Sequence, residues 1–73
     1  MNRQIVPSSN ILSVGYDLRA STLEIQFRDG AVYQYKHVPQ SIHEGLMDAP
    51  SKGKYFHRFI KGLYTDELIR VFQ

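Results

Sequence analysis

Hydrophobic and polar positions alternate along three segments in the first half of the chain, at 12–17, 23–28 and 33–36. In each segment an apolar or aromatic residue occupies every second position, with polar or small residues between. A period of two is typical of strands with one packed and one wetted face, as in an antiparallel sheet. Asp29-Gly30 indicates a tight turn between the second and third segments, because glycine accepts a positive φ without steric cost. The pattern predicts a three-stranded antiparallel meander.

The spacing changes to a helical period after Pro39. Proline suits the start of a helix, apolar residues recur at 42, 46 and 49, and Pro50 would end the element. Gly45 lies inside this predicted helix and costs up to about 1 kcal/mol relative to alanine. We therefore expect either close backbone packing at Gly45 or a weak helix.

A second helix is predicted from Ser51, a good N-cap, to about Gly62. At roughly 100° per residue, one face of this helix is apolar and would enter the core. It carries Tyr55, Phe56, Phe59, Ile60 and Leu63. The sequence thus predicts an α+β fold, a three-stranded antiparallel β-meander with two helices packed on one face.

Both ends of the chain are harder to assign. The first eight residues show no regular pattern, and we expect them to be loose. The tail, residues 64–73, carries Leu68, Ile69, Val71 and Phe72, which are too apolar to be left in water. The tail could form a short helix, or a strand along a sheet edge, including that of a neighbouring subunit.

Composition excludes several classes of protein. Seventy-three residues make one domain. There is no cysteine, which excludes disulfides and a thiol nucleophile. There is no apolar stretch of about 20 residues and no signal-peptide core, so we expect a cytoplasmic protein without membrane contact.

The sequence shows no arrangement of residues that would support catalysis. The spacing of His37, His43 and His57 fits no familiar metal site, and no serine pairs with a base and an acid in a recognisable pattern. We expect residues 8–10, Ser-Ser-Asn, to form a turn before the first strand. The predicted function is binding, with no enzymatic activity, cofactor or metal.

Positive charge is concentrated in residues 51–61, which hold four of the nine Lys and Arg residues and no acid. Lys54, Arg58 and Lys61 follow i, i+4, i+7 spacing and form one ridge, while Lys52 lies at the helix start, where anions are favoured. This arrangement suits a phosphate backbone. The alternative is an ordinary solvated helix face.

Tyrosines form the second candidate feature. Tyr33 and Tyr35 project from the same face of a strand, and Tyr16 would lie nearby. Aromatic rings on a sheet can stack nucleobases. Alternatively the rings belong to the core and only their hydroxyls reach its rim.

Several segments taken together resemble the KTSC domain, named for the C-terminal extension of some lysyl-tRNA synthetases and also found in small stand-alone bacterial proteins. The matching residues are 8–11, 14–17, 23–27, Tyr33-Gln34-Tyr35, Val38-Pro39 and 49–56. The resemblance covers about 8–63 and leaves the tail outside. It implies little about chemistry, although RNA binding is suggested from the synthetase context.

The leading hypothesis is a binding module for RNA or another phosphate-bearing partner. Its candidate site consists of Lys52, Lys54, Arg58, Lys61, Tyr33, Tyr35 and Tyr16. The alternative is a protein-interaction module, including a homodimer, that uses the sheet edge and the apolar tail.

Overall fold

A computed structural model describes residues 1–72, which form one antiparallel sheet and two helices. The elements in chain order are β1 (Gln4–Ile5), β2 (Ile11–Asp17), β3 (Thr22–Phe27), β4 (Ala31–Tyr35), α1 (Gln40–Asp48), α2 (Lys52–Phe59) and β5 (Asp66–Val71). The strand order in the sheet is β1-β2-β3-β4-β5, so every strand pairs with its neighbour in sequence. The α+β class, the antiparallel sheet and the two helices are therefore confirmed.

The predicted meander corresponds to β2, β3 and β4. The Asp29-Gly30 turn joins the last two of these strands, with Gly30 at φ 102°. The Asp29 Oδ1 atom accepts a hydrogen bond from the Ala31 N–H at 2.9 Å, which fixes the turn. Glycine is needed at position 30 because a side chain there would strain the backbone and collide with the carbonyl of Phe72.

The sheet has five strands, so the prediction of three was wrong. The first eight residues are not loose, because β1 pairs with β2. Two residues are too few to show a period of two in the sequence. The tail forms β5, which pairs with β4 of the same chain, so its strand interpretation is correct.

The core lies between the sheet and the two helices, which share one face of the sheet. Val14, Leu23 and Ile25 project from the strands towards Leu46 of α1 and Phe56 of α2. The Phe56 ring makes edge contacts with the rings of Phe27 and Tyr35, with centroids 5.2 and 5.6 Å apart. None of the helices within residues 1–72 is long and apolar enough to cross a membrane.

Gly45 explains how the helices approach each other. A Cβ atom at this position would lie 2.8 Å from Cζ of Tyr55, so the Tyr55 ring occupies the space that a side chain would need. The Tyr55 hydroxyl donates a hydrogen bond to the Ile42 carbonyl at 3.1 Å. Of the two explanations for Gly45, close packing is the correct one.

The opposite face of the sheet is covered in part by the N-terminal segment. Arg3 donates hydrogen bonds from Nε to Ser13 Oγ at 3.0 Å and from its guanidinium to Glu24 and Gln26. A Cβ at Gly15 would lie 2.6 Å from the Asn2 carbonyl oxygen, so the segment lies directly on β2. Glu24 is thereby buried, although the alternating pattern of β3 places it on the wetted face.

Candidate functional site

The candidate site is built on α2, which begins where the sequence predicts but ends earlier. At its start, Ser51 is an N-cap whose Oγ accepts a hydrogen bond from the Lys54 N–H at 3.3 Å, as predicted. The helix ends at Phe59 and not at about Gly62. Ile60 leaves helical geometry at φ −125°, and the Lys61 N–H bonds back to the Phe56 carbonyl at 2.9 Å. Gly62, at φ 78°, belongs to the turn that follows.

The early end of α2 changes which apolar residues reach the core. Phe56 and Ile60 are buried, and Tyr55 is half-buried. Phe59 and Leu63 are 41% and 65% exposed, so their assignment to the core was wrong. The Phe59 ring lies against Tyr55, with centroids 4.7 Å apart, and the Arg58 guanidinium lies 5.4 Å from its centre. An exposed aromatic ring therefore accompanies the basic residues.

The four basic residues separate into two groups. Lys54, Arg58 and Lys61 are exposed, and together they form what we call the basic surface. Lys52 is only 8% exposed, and its Nζ donates a hydrogen bond to the carbonyl of Ala49, the C-cap of α1, at 2.8 Å. Lys52 therefore joins the two helices and is not one of the exposed cations, although it lines the same small pocket as Lys54.

A cleft of about 520 Å³ opens beside the basic surface, between α2 and the sheet. We call it the aromatic cleft, because Phe27, Tyr33, Tyr35 and Phe56 line it. Its polar lining consists of Ser9, Asn10, Arg28, Asp29, Gly53, His57, Lys61 and Asp66, with Ile11 completing the wall. The volume lies within the range of about 300–1,000 Å³ that is usual for ligand pockets.

Only Lys61 of the basic surface lines the aromatic cleft. Lys54 instead lines a second, smaller cleft of about 380 Å³, between the start of α2 and the loop of residues 7–10. His57 lines both clefts. In the loop, Ser8 Oγ accepts hydrogen bonds from the N–H groups of Asn10 and Ile11, so this segment forms the expected turn before the first long strand.

The three predicted tyrosines have different environments. Tyr33 is half-buried in the aromatic cleft, with its ring edge-on to Phe27 at 6.0 Å. Tyr35 is 3% exposed, and burial, aided by the negative charge of Asp66, raises the pKa of its hydroxyl. Tyr16 lies outside the cleft, because its hydroxyl donates to the Val38 carbonyl at 2.6 Å and its ring stacks on His43. Tyr33 alone combines a cleft position with partial exposure.

The sequence interpretation missed Phe27, Arg28 and Phe59 as members of the site. Arg28 reaches the cleft because its backbone N–H and its Nε donate to the carbonyls of Asn10 and Ser8, at 2.9 and 2.8 Å. Period-two alternation did place Phe27 on the same face as the tyrosines. No local pattern signals the position of Arg28, since a loop distant in sequence fixes it.

The arrangement can bind an anion and a flat ring together. Two cations, Arg28 and Lys61, line a cleft that also exposes part of the Tyr33 ring. Two carboxylates, Asp29 and Asp66, share the lining and would repel phosphate from that part of the rim. In the part of the chain that the structure describes, no three His, Cys, Asp or Glu side chains cluster in a way that could hold a metal ion.

Fold and site define a small α+β domain with a helix-covered five-stranded meander. The family model of the KTSC domain matches residues 7–64. The chain therefore belongs to the KTSC domain family, as its resemblance implied. The match includes the whole aromatic cleft except Asp66, and it ends before β5.

Similar proteins include a solved structure and longer enzymes. The crystal structure of a KTSC domain protein from Yersinia pestis has a TM-score of 0.93 and 48% identity, covering 94% of this chain and 97% of that one. A lysine–tRNA ligase of Nostoc punctiforme is 46% identical over 59 residues, which are 81% of this chain and 10% of the ligase. An uncharacterized protein of Stutzerimonas stutzeri is 38% identical over 61 residues, 84% of this chain and 86% of that protein. The chain thus spans about a tenth of the lysine–tRNA ligases that it matches.

Proposed function

We propose that this domain binds RNA, or another phosphate-bearing partner, through the basic surface and the aromatic cleft beside it. Lys54, Arg58 and Lys61 contact phosphates in this proposal, and Tyr33 contacts a base in the cleft. The proposal assigns the domain a binding role and no reaction. The observation that carries it is the adjacency of three exposed cations to a cleft lined by four aromatic rings.

The charges of the basic surface are available to a partner. Across residues 1–72, the one ion pair within 4.0 Å joins Arg3 to Glu24, on the other face of the sheet. Lys54, Arg58 and Lys61 are therefore not neutralised by carboxylates of the same chain. Cations that are exposed and unpaired can release the counterions of a phosphate backbone when they bind it, which favours association.

The aromatic cleft supplies a place for a base next to these charges. Sequence-tolerant binding of single strands combines a positive surface with rings on which bases stack. The Tyr33 ring packs near those of Phe27 and Tyr35, so little side-chain entropy is lost when a base contacts it. Phe59, next to Arg58, offers a second exposed ring.

The relatives add support from outside the structure. The domain matches part of lysine–tRNA ligases, which by their name act on tRNA. The matched part is about a tenth of those enzymes, so the activity of the whole enzyme is not carried over. A segment that occurs both within these ligases and as most of a short protein is consistent with a separate binding module.

The test measures affinity for single-stranded and for structured RNA across a salt series. In wild-type protein, several phosphate contacts make the affinity fall steeply with salt. In Lys54→Ala/Arg58→Ala/Lys61→Ala, three lost contacts should reduce the slope of log K against log salt by about 2 for single strands. Urea unfolding should change by only about 0.5 kcal/mol or less per substitution, because all three side chains are exposed.

Two matched single variants distinguish the effect of a local contact with RNA from the effect of the protein's net charge. Arg58→Ala and Arg19→Ala remove the same charge, but Arg19 is exposed in the turn between β2 and β3, away from the cleft. We expect Arg58→Ala to weaken RNA binding and Arg19→Ala to leave it unchanged. Equal effects of the two variants, or absence of binding at low salt, would contradict the proposal.

A further inference from the structure

The open edge of β5 carries a run of exposed apolar side chains between charged ones. β5 is the last strand of the sheet and pairs on one side only, with β4. All six of its residues are exposed. Leu68, Ile69 and Val71, with Phe72 directly after the strand, are between 43% and 54% exposed. An open edge presents unpaired backbone groups to which another chain can add a strand, and no element within residues 1–72 covers this one.

We propose that β5 pairs antiparallel with β5 of a second copy of this chain, around a two-fold axis between Leu68 and Ile69. In this register Asp66 faces the partner's Val71, and Glu67 faces the partner's Arg70. The interface is isologous, so each pair occurs twice. The two sheets then form one continuous ten-stranded sheet.

Charge complementarity selects this partner and register. Within its own sheet, Glu67 lies opposite Gln34 and Arg70 lies opposite Val32, so neither has an oppositely charged neighbour across the strand pair. The two-fold places each Glu67 opposite the partner's Arg70. Opposite charges that face each other across antiparallel strands stabilise the pair, and like charges destabilise it.

The backbone is consistent with the same register. The Thr65 carbonyl accepts from the Lys36 N–H, and the Phe72 N–H donates to the Gly30 carbonyl, both at 2.8 Å, so both residues point towards the body of the sheet. Backbone groups alternate in direction along a strand, which turns those of Asp66 and Val71 towards the open edge. These are the two residues that the proposed register joins as a hydrogen-bonded pair.

The faces of the sheet on which the β5 side chains lie are also consistent with the proposed register. Asp66 and Val71 are paired with Tyr35 and Ala31, which project from the helix-covered face, whereas Glu67 and Arg70 are paired with Gln34 and Val32 on the opposite face. Residues joined across antiparallel strands must share a face, and both proposed pairs do. The extra residue of the β-bulge in β5 lies at the centre of the register, where Leu68 meets the partner's Ile69.

The opposite edge of the sheet does not offer an equivalent partner. β1 has only two residues, so β5 of one copy could pair with β1 of the next over a very short length. Such a head-to-tail contact would also lead to a ring or an open filament, and not to a closed dimer. The isologous pairing of β5 is longer and closes as a dimer.

The test uses charge reversal and sedimentation of the full chain over a concentration series, without RNA. Wild type should be a reversible dimer. Glu67→Arg and Arg70→Glu each turn both opposite-charge pairs into like-charge pairs, and each should raise the dissociation constant by about tenfold or more. The double variant Glu67→Arg/Arg70→Glu restores both pairs and should dimerise like wild type.

An equimolar mixture of the two single variants gives the sharpest outcome. Every pair in a mixed dimer is again oppositely charged, so the mixture should form heterodimers at concentrations where each variant alone is monomeric. This result also shows that both variants are folded. A wild-type monomer at all concentrations, or a mixture no more dimeric than its components, would overturn the proposal. The outcome is separate from the RNA proposal, because residues 67 and 70 lie on the face opposite the aromatic cleft.

Discussion

Glu24 shows at the scale of single residues how this small domain keeps a charge out of water. It is 5% exposed and is held by Arg3 and by Gln34, whose Nε2 donates to Oε1 at 2.9 Å. Burial by itself raises the pKa of Glu24. The hydrogen bonds from Gln34 and Arg3, together with the positive charges of Arg3 and the N-terminal amine, outweigh burial and lower it below the usual 4.5.

We expect this lowered pKa to make stability depend on pH. A carboxyl whose pKa is lower in the folded state stabilises the protein fully above its unfolded pKa, and loses that contribution as the pH falls through the folded pKa. The free energy of unfolding should therefore decrease below about pH 4.5 in wild type. Glu24→Gln removes the titrating group and should flatten that decrease, as measured by urea unfolding at a series of pH values.

Glu44→Gln is the matched control, because Glu44 is exposed on α1. It should keep the decrease in stability that wild type shows below about pH 4.5. If the two variants have the same profile of unfolding free energy against pH, the ion pair of Arg3 and Glu24 makes no pH-dependent contribution to stability.

Individual residues differ in how far the sequence could predict them. Gly45 was identified from the sequence because glycine inside a helical pattern has a known energetic cost. Its packing partner, Tyr55, could be identified only from the folded structure. Lys52 was assigned to the candidate site because it lies at the start of the helix, where anions are favoured. Its burial depends on the carbonyl of Ala49, which becomes available only where α1 ends beside the start of α2. Tertiary contacts of that kind leave no local pattern.

At the scale of elements, α2 combines a structural and a candidate binding function in eight residues. The buried Phe56 contacts two rings of the sheet, while Phe59, one turn later, is 41% exposed. The helical wheel groups both residues on one apolar face. The wheel cannot show that the helix ends at Phe59, because the turn that follows is fixed by hydrogen bonds from Ile60 and Lys61 to Phe56.

We therefore expect opposite consequences from two similar substitutions in α2. Phe56→Ala should reduce the free energy of unfolding by about 3–5 kcal/mol, because it leaves a cavity in the core. Phe59→Ala should reduce it by about 1 kcal/mol, from its contact with the Tyr55 ring. Urea unfolding of both variants tests the difference, and equal losses would show that Phe59 is a core residue in solution.

The same Phe59→Ala variant distinguishes stacking from charge. If Phe59 contacts a base, its loss should weaken RNA binding by a similar factor at every salt concentration, because no phosphate contact is removed. A change in the salt slope would instead indicate that the substitution had displaced Arg58, whose guanidinium lies over the Phe59 ring.

The strands show what a periodic pattern can and cannot reveal. β3 and β4 are long enough to alternate clearly, and Asp29-Gly30 fixes the turn between them. β5 could not be assigned from its pattern, because all of its side chains are exposed and a β-bulge interrupts its alternation. Its pairing with β4 depends on the turn after α2, which brings the chain back to the sheet.

At the scale of the whole molecule, the sheet has one face for helices and one for the N-terminal segment, and its open edge lies beside the candidate cleft. Asp66 belongs both to the lining of the aromatic cleft and to β5. Since Asp66 and the partner's Val71 would share a face, a dimer through β5 would place both aromatic clefts on the same side of the continuous sheet. One RNA strand could then contact two clefts.

This geometry predicts that dimerisation strengthens binding of long RNA. The Glu67→Arg variant is more positive than wild type and Arg70→Glu is more negative. If only net charge mattered, an equimolar mixture of the two would bind RNA with an affinity between those of the two single variants. Avidity in the mixed dimer predicts an affinity above that of either variant, by about tenfold or more, for RNA long enough to reach both clefts. A short oligonucleotide should show no such gain, because it reaches one cleft only. Fluorescence anisotropy with a series of RNA lengths measures both, and an intermediate affinity at every length would mean that the two clefts act separately.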